Sequence, residues 1–449
     1  MILNFKSLSK NALRRKALLI ANAGYEAIDI EKLISRKIKI QNGKLFIKSA
    51  MTRHSAEVLL DLDLSVYKKI FLIGVGKGSA LASLLLAKIL GNRLSNGIAL
   101  DVQKLQTTNH KLQTFIGSHP FPSGKNIKAT KEIVRMLNCL NADDLLITFI
   151  CGGGSALLCG LEKEMRNSIL ATKKLTETGA DIFELNIVRK HLSELKGGGL
   201  AKLAYPATVV SLIVSDVPGN DLSTVASGPT IFDKTTRKDA EKIWKKYQYQ
   251  EVRPPQINGN FRRSNLQKLK FHETPKDKKY FEKVKNILFL SNQEPILAMA
   301  KKANEVGFKP KIYSLKLKGE AKNILLSCGK ACKKGGIVLA GGETTIKFKN
   351  PCLAGKGGRN MEAVLAALTR INACILSVAS DGRDNTEAAG AIGDNLTIEK
   401  AKKLKLEPKK YLENHNSFNF FKKTGDLIYA DKKSFNVADL MLVLSSSKE

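Results

Sequence analysis

Five apolar runs in this chain each stop abruptly at a glycine-rich, polar loop, and these loops carry most of the side chains capable of chemistry. The runs and their loops are Ile70–Ile73 with Gly74–Ser79, Leu145–Ile150 with Cys151–Ser155, Val209–Val214 with Ser215–Gly219, Ile337–Ala340 with Gly341–Thr345, and Ile375–Val378 with Ala379–Asp384. Unbroken apolar runs of this kind are typical of strands that are buried on both faces of a parallel sheet. The pattern therefore predicts an α/β fold.

The same loops indicate where a ligand binds. In open α/β sheets, ligands bind outside the carboxyl ends of the strands, which is where these loops converge. Glycine allows the backbone to approach a ligand closely, and successive free N–H groups bind anions. We therefore expect an enzyme that acts on a small anionic, phosphorylated ligand.

Composition limits the other classes of function. The net charge of +33 comes mainly from lysines that are spread along helix faces and loops. No stretch interleaves aromatic residues with arginine as a base-stacking surface does, so we expect a solvated basic surface and no specific nucleic-acid partner.

The seven cysteines contain no CxxC pair, which argues against a zinc site. No apolar run approaches the roughly 20 residues needed to span a bilayer, and the first residues lack the apolar core of a signal peptide. We expect a cytoplasmic protein that does not bind membranes.

The length of 449 residues predicts about two to three domains. We predict a Rossmann-like, parallel-sheet domain over residues 1–255, a linker over 256–285, and a smaller α/β domain over 286–449. We place the linker where the apolar periodicity of helices and strands stops and is followed by Pro254-Pro255, Asn258-Gly259-Asn260 and charged residues.

The loop Gly74–Ser79 is similar to a dinucleotide-binding fingerprint, and Asp101 ends the following predicted strand as such a fingerprint requires. Ser79 replaces the third glycine, however, and the loop is not a Walker A sequence. Lys77 in the middle of the loop is more informative, because it places a positive charge at a helix N-terminus, where anions already prefer to bind.

Two further segments are candidates for anion binding. The glycines at 152–154 precede Ser155, and a plain turn rarely needs three glycines. A helix predicted over Asn186–Leu203 sets Arg189, Ser193 and Lys196 on one face, which suits an acidic substrate. His119 and His191 are open as general bases, although structural roles are commoner for both.

Carboxylates and an arginine follow other predicted strands. Asp216 and Asp381 are candidate magnesium ligands, since Mg²⁺ usually binds one or two carboxylates together with substrate phosphates. Arg359 lies in the glycine-rich loop that leads into a helix predicted over Glu362–Thr369, and an arginine there could stabilise charge that develops on a transferring phosphoryl group.

Taken in order, these motifs resemble the bacterial and archaeal glycerate 2-kinase family, whose C-terminal part is the MOFRL domain. The resemblance covers most of the chain and is carried by Gly74–Ser79, Gly117–Pro122, Gly152–Leu157, Asn186–Ala201, Ser215–Thr230, Gly341–Thr345, Gly357–Glu362 and Asp381–Asp394. It implies a MOFRL region at about 335–445 and an active site in the cleft between two α/β domains.

The resemblance further implies transfer of a phosphoryl group from ATP to the 2-hydroxyl of D-glycerate with Mg²⁺, giving 2-phosphoglycerate and ADP. It places the family's catalytic lysine and arginine at Lys77 and Arg359. The candidate substrate- or nucleotide-binding residues are Gly76, Ser79, Gly152, Gly153, Gly154, Ser155, Arg189, Lys196, Asn220, Glu343 and Thr344.

The chain departs from the family pattern at several positions. These are Cys151 for serine, Gly199 for arginine, Asn220 for aspartate, Asn385 for glycine, and Ala430–Phe435 in place of a loop of small residues. Four alternatives stay open: a kinase for another hydroxy acid or the 3-position, an NAD(P)-dependent hydroxypyruvate reductase, a polyanion-binding protein, and a catalytically inactive relative. A homodimer also stays open.

Overall fold

The computed structural model describes residues 1–49, 57–103, 105–248, 269–348 and 354–446. Residues 256–268 of the predicted linker lie outside the described residues.

Within the described ranges the helices are α1 (Phe5–Leu8), α2 (Ala12–Ala27), α3 (Ile30–Lys37), α4 (Ser79–Leu90), α5 (Gly124–Leu137), α6 (Gly154–Leu157), α7 (Glu162–Glu177), α8 (Ile182–Lys190), α9 (Gly199–Ala204), α10 (Arg237–Gln248), α11 (Gln293–Glu305), α12 (Ala321–Ala331), α13 (Arg359–Leu368), α14 (Asn395–Lys403), α15 (Pro408–Glu413) and α16 (Ser417–Thr424).

The strands in the same ranges are β1 (Ile38–Gln41), β2 (Lys44–Lys48), β3 (Val58–Asp63), β4 (Lys69–Val75), β5 (Leu94–Asp101), β6 (Leu112–Ile116), β7 (Asp144–Ile150), β8 (Thr208–Val214), β9 (Val284–Leu290), β10 (Pro310–Leu317), β11 (Ile337–Gly342), β12 (Cys374–Ala379), β13 (Gly390–Gly393), β14 (Leu427–Ile428) and β15 (Asp439–Leu444).

The chain folds into two compact units. The first unit comprises Ile34–Ser215 and Asp221–Phe289, and the second comprises Met1–Leu33, Asp216–Asn220 and Leu290–Glu449. Both units combine helices with a sheet, so the predicted two-part α/β fold is confirmed.

The first unit is built on a sheet of strand order β6-β5-β4-β7-β8-β9 in the described part of the chain. The pairs β5/β6, β4/β5, β4/β7 and β7/β8 are parallel, as the buried apolar runs predict. Every residue of β7 is buried, and β8 is buried after its first residue. Glycine loops follow β4 and β7 at the same edge, since parallel strands end on one side of a sheet.

The second unit contains a mixed sheet of order β10-β11-β15-β12-β13-β14 among the described residues. Expecting a parallel sheet for the runs at Ile337 and Ile375 was therefore wrong in part, because β15 lies between β11 and β12 and is antiparallel to both. An apolar run reports burial on two faces but carries no information on strand direction.

The division into units differs from the predicted ranges at the N-terminus. Helix α2 is capped by the Asn11 side chain, which accepts a hydrogen bond from the Arg14 backbone N–H. The fully buried Arg14 side chain binds Asp394 and Asp426, with nitrogen–oxygen distances of 2.6 and 2.7 Å. These contacts place the first helices in the second unit, and no local sequence pattern indicates them.

Candidate active site

Two glycine loops of the first unit are bonded backbone to backbone. The Lys77 N–H donates to the Gly152 carbonyl at 2.9 Å, so the loop after β4 lies directly against the loop after β7. A Cβ at Gly76, where φ is +115°, would come within 2.4 Å of the Cys151 carbonyl oxygen. Glycine at position 76 is therefore a requirement of this close approach.

Lys77 and His119 flank Gly153. A Cβ built at Gly153 would lie 3.5 Å from Lys77 Cγ and 3.2 Å from His119 Cδ2, so both side chains pass close to this glycine. Lys77 precedes α4 by two residues, which places its charge near the positive end of that helix. The structure thus brings together Lys77, His119 and the predicted anion-binding loop within one unit.

A chain of polar side chains continues from this loop. Ser155 Oγ lies 2.9 Å from Ser227 Oγ, and Ser227 Oγ donates to Asn186 Oδ1 at 2.8 Å. Asn186 lies on α8 and is buried. Ser227 and Asn186 fall within motifs that sequence reasoning noticed, but only the fold shows that they contact the glycine loop.

Ser79 and Asp101 have packing contacts of their own. Ser79 is fully buried and its hydroxyl donates to the Leu100 carbonyl at 3.3 Å. Asp101 Oδ2 accepts a hydrogen bond from the Ala80 N–H at 3.0 Å, and burial raises the pKa of this carboxyl. Asp101 therefore stabilises the start of α4 instead of presenting its carboxylate to a ribose.

The predicted helix over Asn186–Leu203 is wrong beyond Lys190, where α8 ends. The chain instead turns so that the N–H groups of Gly197 and Gly198 bond the carbonyls of Ser227 and Gly228, and α9 begins at Gly199. Arg189, Ser193 and Lys196 consequently do not share a helix face.

Lys196 is buried and forms an ion pair within the protein. Its ammonium lies 3.0 Å from Glu164 Oε1 and donates to the Leu158 carbonyl at 2.7 Å. Arg189 is different, because its Nη2 donates to Thr172 Oγ1 at 3.3 Å and burial lowers the pKa of the guanidinium to about 10. Of the two basic candidates, Arg189 alone retains charge that the protein does not neutralise, as far as the described residues extend.

In the second unit, Arg359 is the first residue of α13 and is held by two carboxylates. Its Nε and Nη2 lie 2.7 and 3.1 Å from the two oxygens of Asp439, and its Nη1 lies 2.6 Å from Glu343 Oε1. Burial by itself lowers the pKa of Arg359, but the charges of Asp439 and Glu343 outweigh this and raise it. The guanidinium is therefore permanently charged and fixed in direction.

Asp384 fixes the loop before α13. Its carboxylate accepts hydrogen bonds from the N–H groups of Asn360 and Met361 at 3.1 and 2.9 Å. A Cβ at Gly358 would lie 2.1 Å from the Asp384 carbonyl oxygen, so glycine is required there. Burial, together with the nearby charge of Asp439, raises the pKa of Asp384 to about 7.

The sequence pattern included Asp384 in the carboxylate cluster Asp381–Asp384, but it did not single out Asp439. The signal for Asp439 was available, since a single carboxylate heads the apolar run Leu440–Leu444. The Asp439 side chain is fully buried. A buried carboxylate is stable in such a strand only when a cation pairs with it, and here that cation is the Arg359 guanidinium.

The candidate metal ligands Asp216 and Asp381 both belong to the second unit and are partly buried. Asp216 Oδ2 accepts a hydrogen bond from Asn436 Nδ2 at 3.2 Å, and Asp381 Oδ1 accepts one from the Arg383 N–H at 3.1 Å. No group of three or more metal-binding side chains occurs in the described ranges. Carboxylate oxygens nevertheless fit Mg²⁺, which commonly takes one or two from the protein and others from phosphates.

The remaining candidates lie in two loops of the second unit. Thr344 is buried, and its hydroxyl has no hydrogen-bond partner among the described residues. Asn220 is partly buried and has a φ of +58°, a conformation that asparagine tolerates better than most residues. Glu343, a candidate substrate- or nucleotide-binding residue, contacts Arg359.

Parallel strands that end in glycine loops, with a lysine at a helix start, define an α/β protein equipped to bind anionic ligands. Comparison with known proteins shows which family of α/β proteins this chain resembles. Residues 16–262 match a family described as a domain of unknown function, DUF4147, and residues 336–439 match the MOFRL family.

A glycerate 2-kinase of Pyrococcus horikoshii is 30% identical over 452 residues, covering 97% of this chain and 98% of the relative. A putative hydroxypyruvate reductase of Agrobacterium vitis is 32% identical, covering 83% of this chain and 86% of the relative. The crystal structure of a glycerate kinase from Thermotoga maritima superposes with a TM-score of 0.75 at 27% identity, covering 96% of this chain and 99% of that one.

The chain therefore belongs to the MOFRL-containing glycerate 2-kinase family and is an enzyme of the kinase class. Across the described part of the chain, no helix is both long enough and apolar enough to cross a membrane.

Proposed function

We propose that this protein transfers a phosphoryl group from ATP to the 2-hydroxyl of D-glycerate, giving 2-phosphoglycerate and ADP. The observation that carries this proposal is the match to a glycerate 2-kinase over 97% of the chain. The surroundings of Lys77 in the first unit and those of Arg359 in the second are each chemically consistent with it, because phosphoryl transfer depends chiefly on positioning and on neutralising charge.

Lys77 acts on the phosphates in this proposal. Its backbone is bonded to Gly152 and its side chain passes Gly153, so the ammonium is carried by two rigidly paired loops. The backbone N–H groups of Gly152 and Gly153 are the further donors that we propose for phosphate oxygens.

Arg359 stabilises charge on the transferring phosphoryl group. Asp439 holds one side of the guanidinium and is fully buried, so it fixes the direction of the group. Glu343 is 44% exposed and binds Nη1 from the solvent side. An exposed carboxylate is exchangeable, and we propose that a phosphate oxygen takes over this donor when nucleotide binds.

Magnesium fits this reaction, and Asp216 and Asp381 are the residues we propose to hold it. The ion would neutralise phosphate charge alongside the protein's own cations. Asn436 orients Asp216, and the Arg383 backbone orients Asp381.

The test is ATP consumption with D-glycerate, with the product identified by phosphorus NMR. We expect 2-phosphoglycerate, and we expect Lys77→Ala and Arg359→Ala to lower kcat by about 10²–10³-fold, which is typical when a group that stabilises transition-state charge is removed. Formation of 3-phosphoglycerate would refute the regiochemistry. Full activity in either variant would refute that residue's role.

A hydroxypyruvate reductase is the second candidate, because a relative carries that name. Asp101 argues against it, since its carboxylate is buried and bonded to the Ala80 N–H. We expect no oxidation of NADH or NADPH with hydroxypyruvate. Turnover in that assay without phosphoryl transfer would replace the kinase proposal.

A further inference from the structure

Three cations lie close together in sequence at the end of α8, and their surroundings differ. Lys190 is buried and lies 3.2 Å from Asp233 Oδ1, and Lys196 is buried and pairs with Glu164. Arg189 is partly buried, and no carboxylate of the described residues lies within ion-pair distance of it.

This difference has a physical consequence. A guanidinium withdrawn from water without a counter-charge loses hydration, and in the described part of the chain Arg189 gains in return a single side-chain bond, to the Thr172 hydroxyl. Burial accordingly lowers the pKa of Arg189 to about 10. Among the described residues, the fold neutralises Lys190 and Lys196 but gives Arg189 no counter-charge.

Hydrogen bonds connect the helix that carries Arg189 to the glycine loop after β7. Asn186, one turn earlier on α8, is linked through Ser227 to Ser155 in the glycine loop. On the other side, Thr172 is followed by Lys173, whose ammonium lies 5.5 Å from the centre of the Phe121 ring, in the loop that contains His119.

We infer that Arg189 binds the carboxylate of the acceptor, and that it thereby selects small 2-hydroxy acids over neutral alcohols. The inference rests on the proposed function. The planar fork of arginine matches a carboxylate with two parallel hydrogen bonds. Lys77 and the glycine N–H groups match phosphate oxygens instead, so the two anionic parts of the reactants have separate partners.

The test compares D-glycerate with glyceramide, its neutral analogue, as acceptor at saturating ATP. In Arg189→Met, which keeps the length but removes the charge, we expect the KM for D-glycerate to rise roughly 10- to 100-fold, as loss of a charged hydrogen-bonding partner implies. The KM for ATP and the activity toward glyceramide stay within about twofold, so the preference for the acid collapses.

Two further variants make the result specific. Arg189→Lys keeps the charge but loses the fork, and we expect an intermediate KM for D-glycerate. It also keeps the test decisive if Arg189→Met does not fold. Arg166→Met removes an exposed arginine from α7, and we expect kinetics equal to the wild type.

A rise in the KM for ATP instead of D-glycerate would show that Arg189 binds phosphate and would overturn the inference. Unchanged kinetics in both Arg189 variants would overturn it as well. If the wild type does not phosphorylate D-glycerate, the proposed function fails by itself. Calorimetric binding of D-glycerate and D-lactate to the wild type and to Arg189→Met then decides the role of Arg189, and equal affinity refutes it.

Discussion

Lys196 offers a sharp test, because the sequence predicts a substrate-binding residue and the structure shows a buried ion pair. We consider Lys196→Met, which keeps the side-chain length but removes the ammonium. The variant leaves the Glu164 carboxylate and the Leu158 carbonyl without their shared donor, at sites where the Lys196 and Glu164 side chains are 2% and 5% exposed.

The magnitude follows from burial. Removing one partner of a buried pair lowers the free energy of unfolding by about 3–5 kcal/mol, because the remaining charge is uncompensated. Removing both partners, as in Lys196→Met with Glu164→Leu, leaves no buried charge. The double variant still loses two hydrogen bonds, from the Gly160 N–H to Glu164 and from Lys196 to the Leu158 carbonyl, each worth about 1 kcal/mol.

The assay is urea unfolding of the wild type, both single variants and the double variant, followed by far-UV circular dichroism. We expect each single variant to unfold at clearly lower urea, and the double variant to recover part of the loss. A Lys196→Met protein with wild-type stability and a raised KM for D-glycerate would refute the structural role and restore the sequence-based interpretation.

Asp439→Asn weakens the hydrogen bonds that hold the Arg359 guanidinium in place. In steady-state kinetics we expect kcat to fall about 10- to 100-fold with little change in the KM for D-glycerate. An unchanged kcat would contradict the positioning role of Asp439. The pKa of Asp384 is raised to about 7 in the folded protein, so its contribution to stability is complete below about pH 4 and declines as pH rises toward 7. Measured as urea midpoints at several pH values, the wild type should lose more stability over this pH range than Asp384→Asn does. Gly76→Ala should lower the free energy of unfolding by more than Gly179→Ala. Both glycines have a positive φ, but an added Cβ meets backbone atoms within 4 Å at Gly76 and no atom within 4 Å at Gly179. Equal urea midpoints for the two variants would contradict this.

The altered loop Ala430–Phe435 is an example of a feature that the sequence could identify but not explain. The N–H of Phe435 bonds the Ile28 carbonyl, and the N-terminal ammonium lies 2.6 Å from Asp431. Phe435 is fully buried. The loop thus packs on the N-terminal segment of the second unit, a contact between residues about 400 positions apart in the chain.

The sequence by itself determined where the buried central strands lie and where glycine loops follow them. Runs such as Leu145–Ile150 are local signals, since burial on both faces requires unbroken apolar residues. The glycines beside Lys77 and Arg359 could also be recognised in the sequence, because only glycine allows backbone segments to approach this closely. The catalytic roles of these two residues stay a prediction.

Only the tertiary structure decided the direction of β15 between β11 and β12 and the assignment of α2 to the second unit. It also decided which basic side chains are neutralised. Lys196 meets Glu164, 32 residues away, whereas Arg189 meets no carboxylate in the described part of the chain. Pairing of charges depends on which distant residues the fold brings within a few ångströms, and no local pattern encodes that distance.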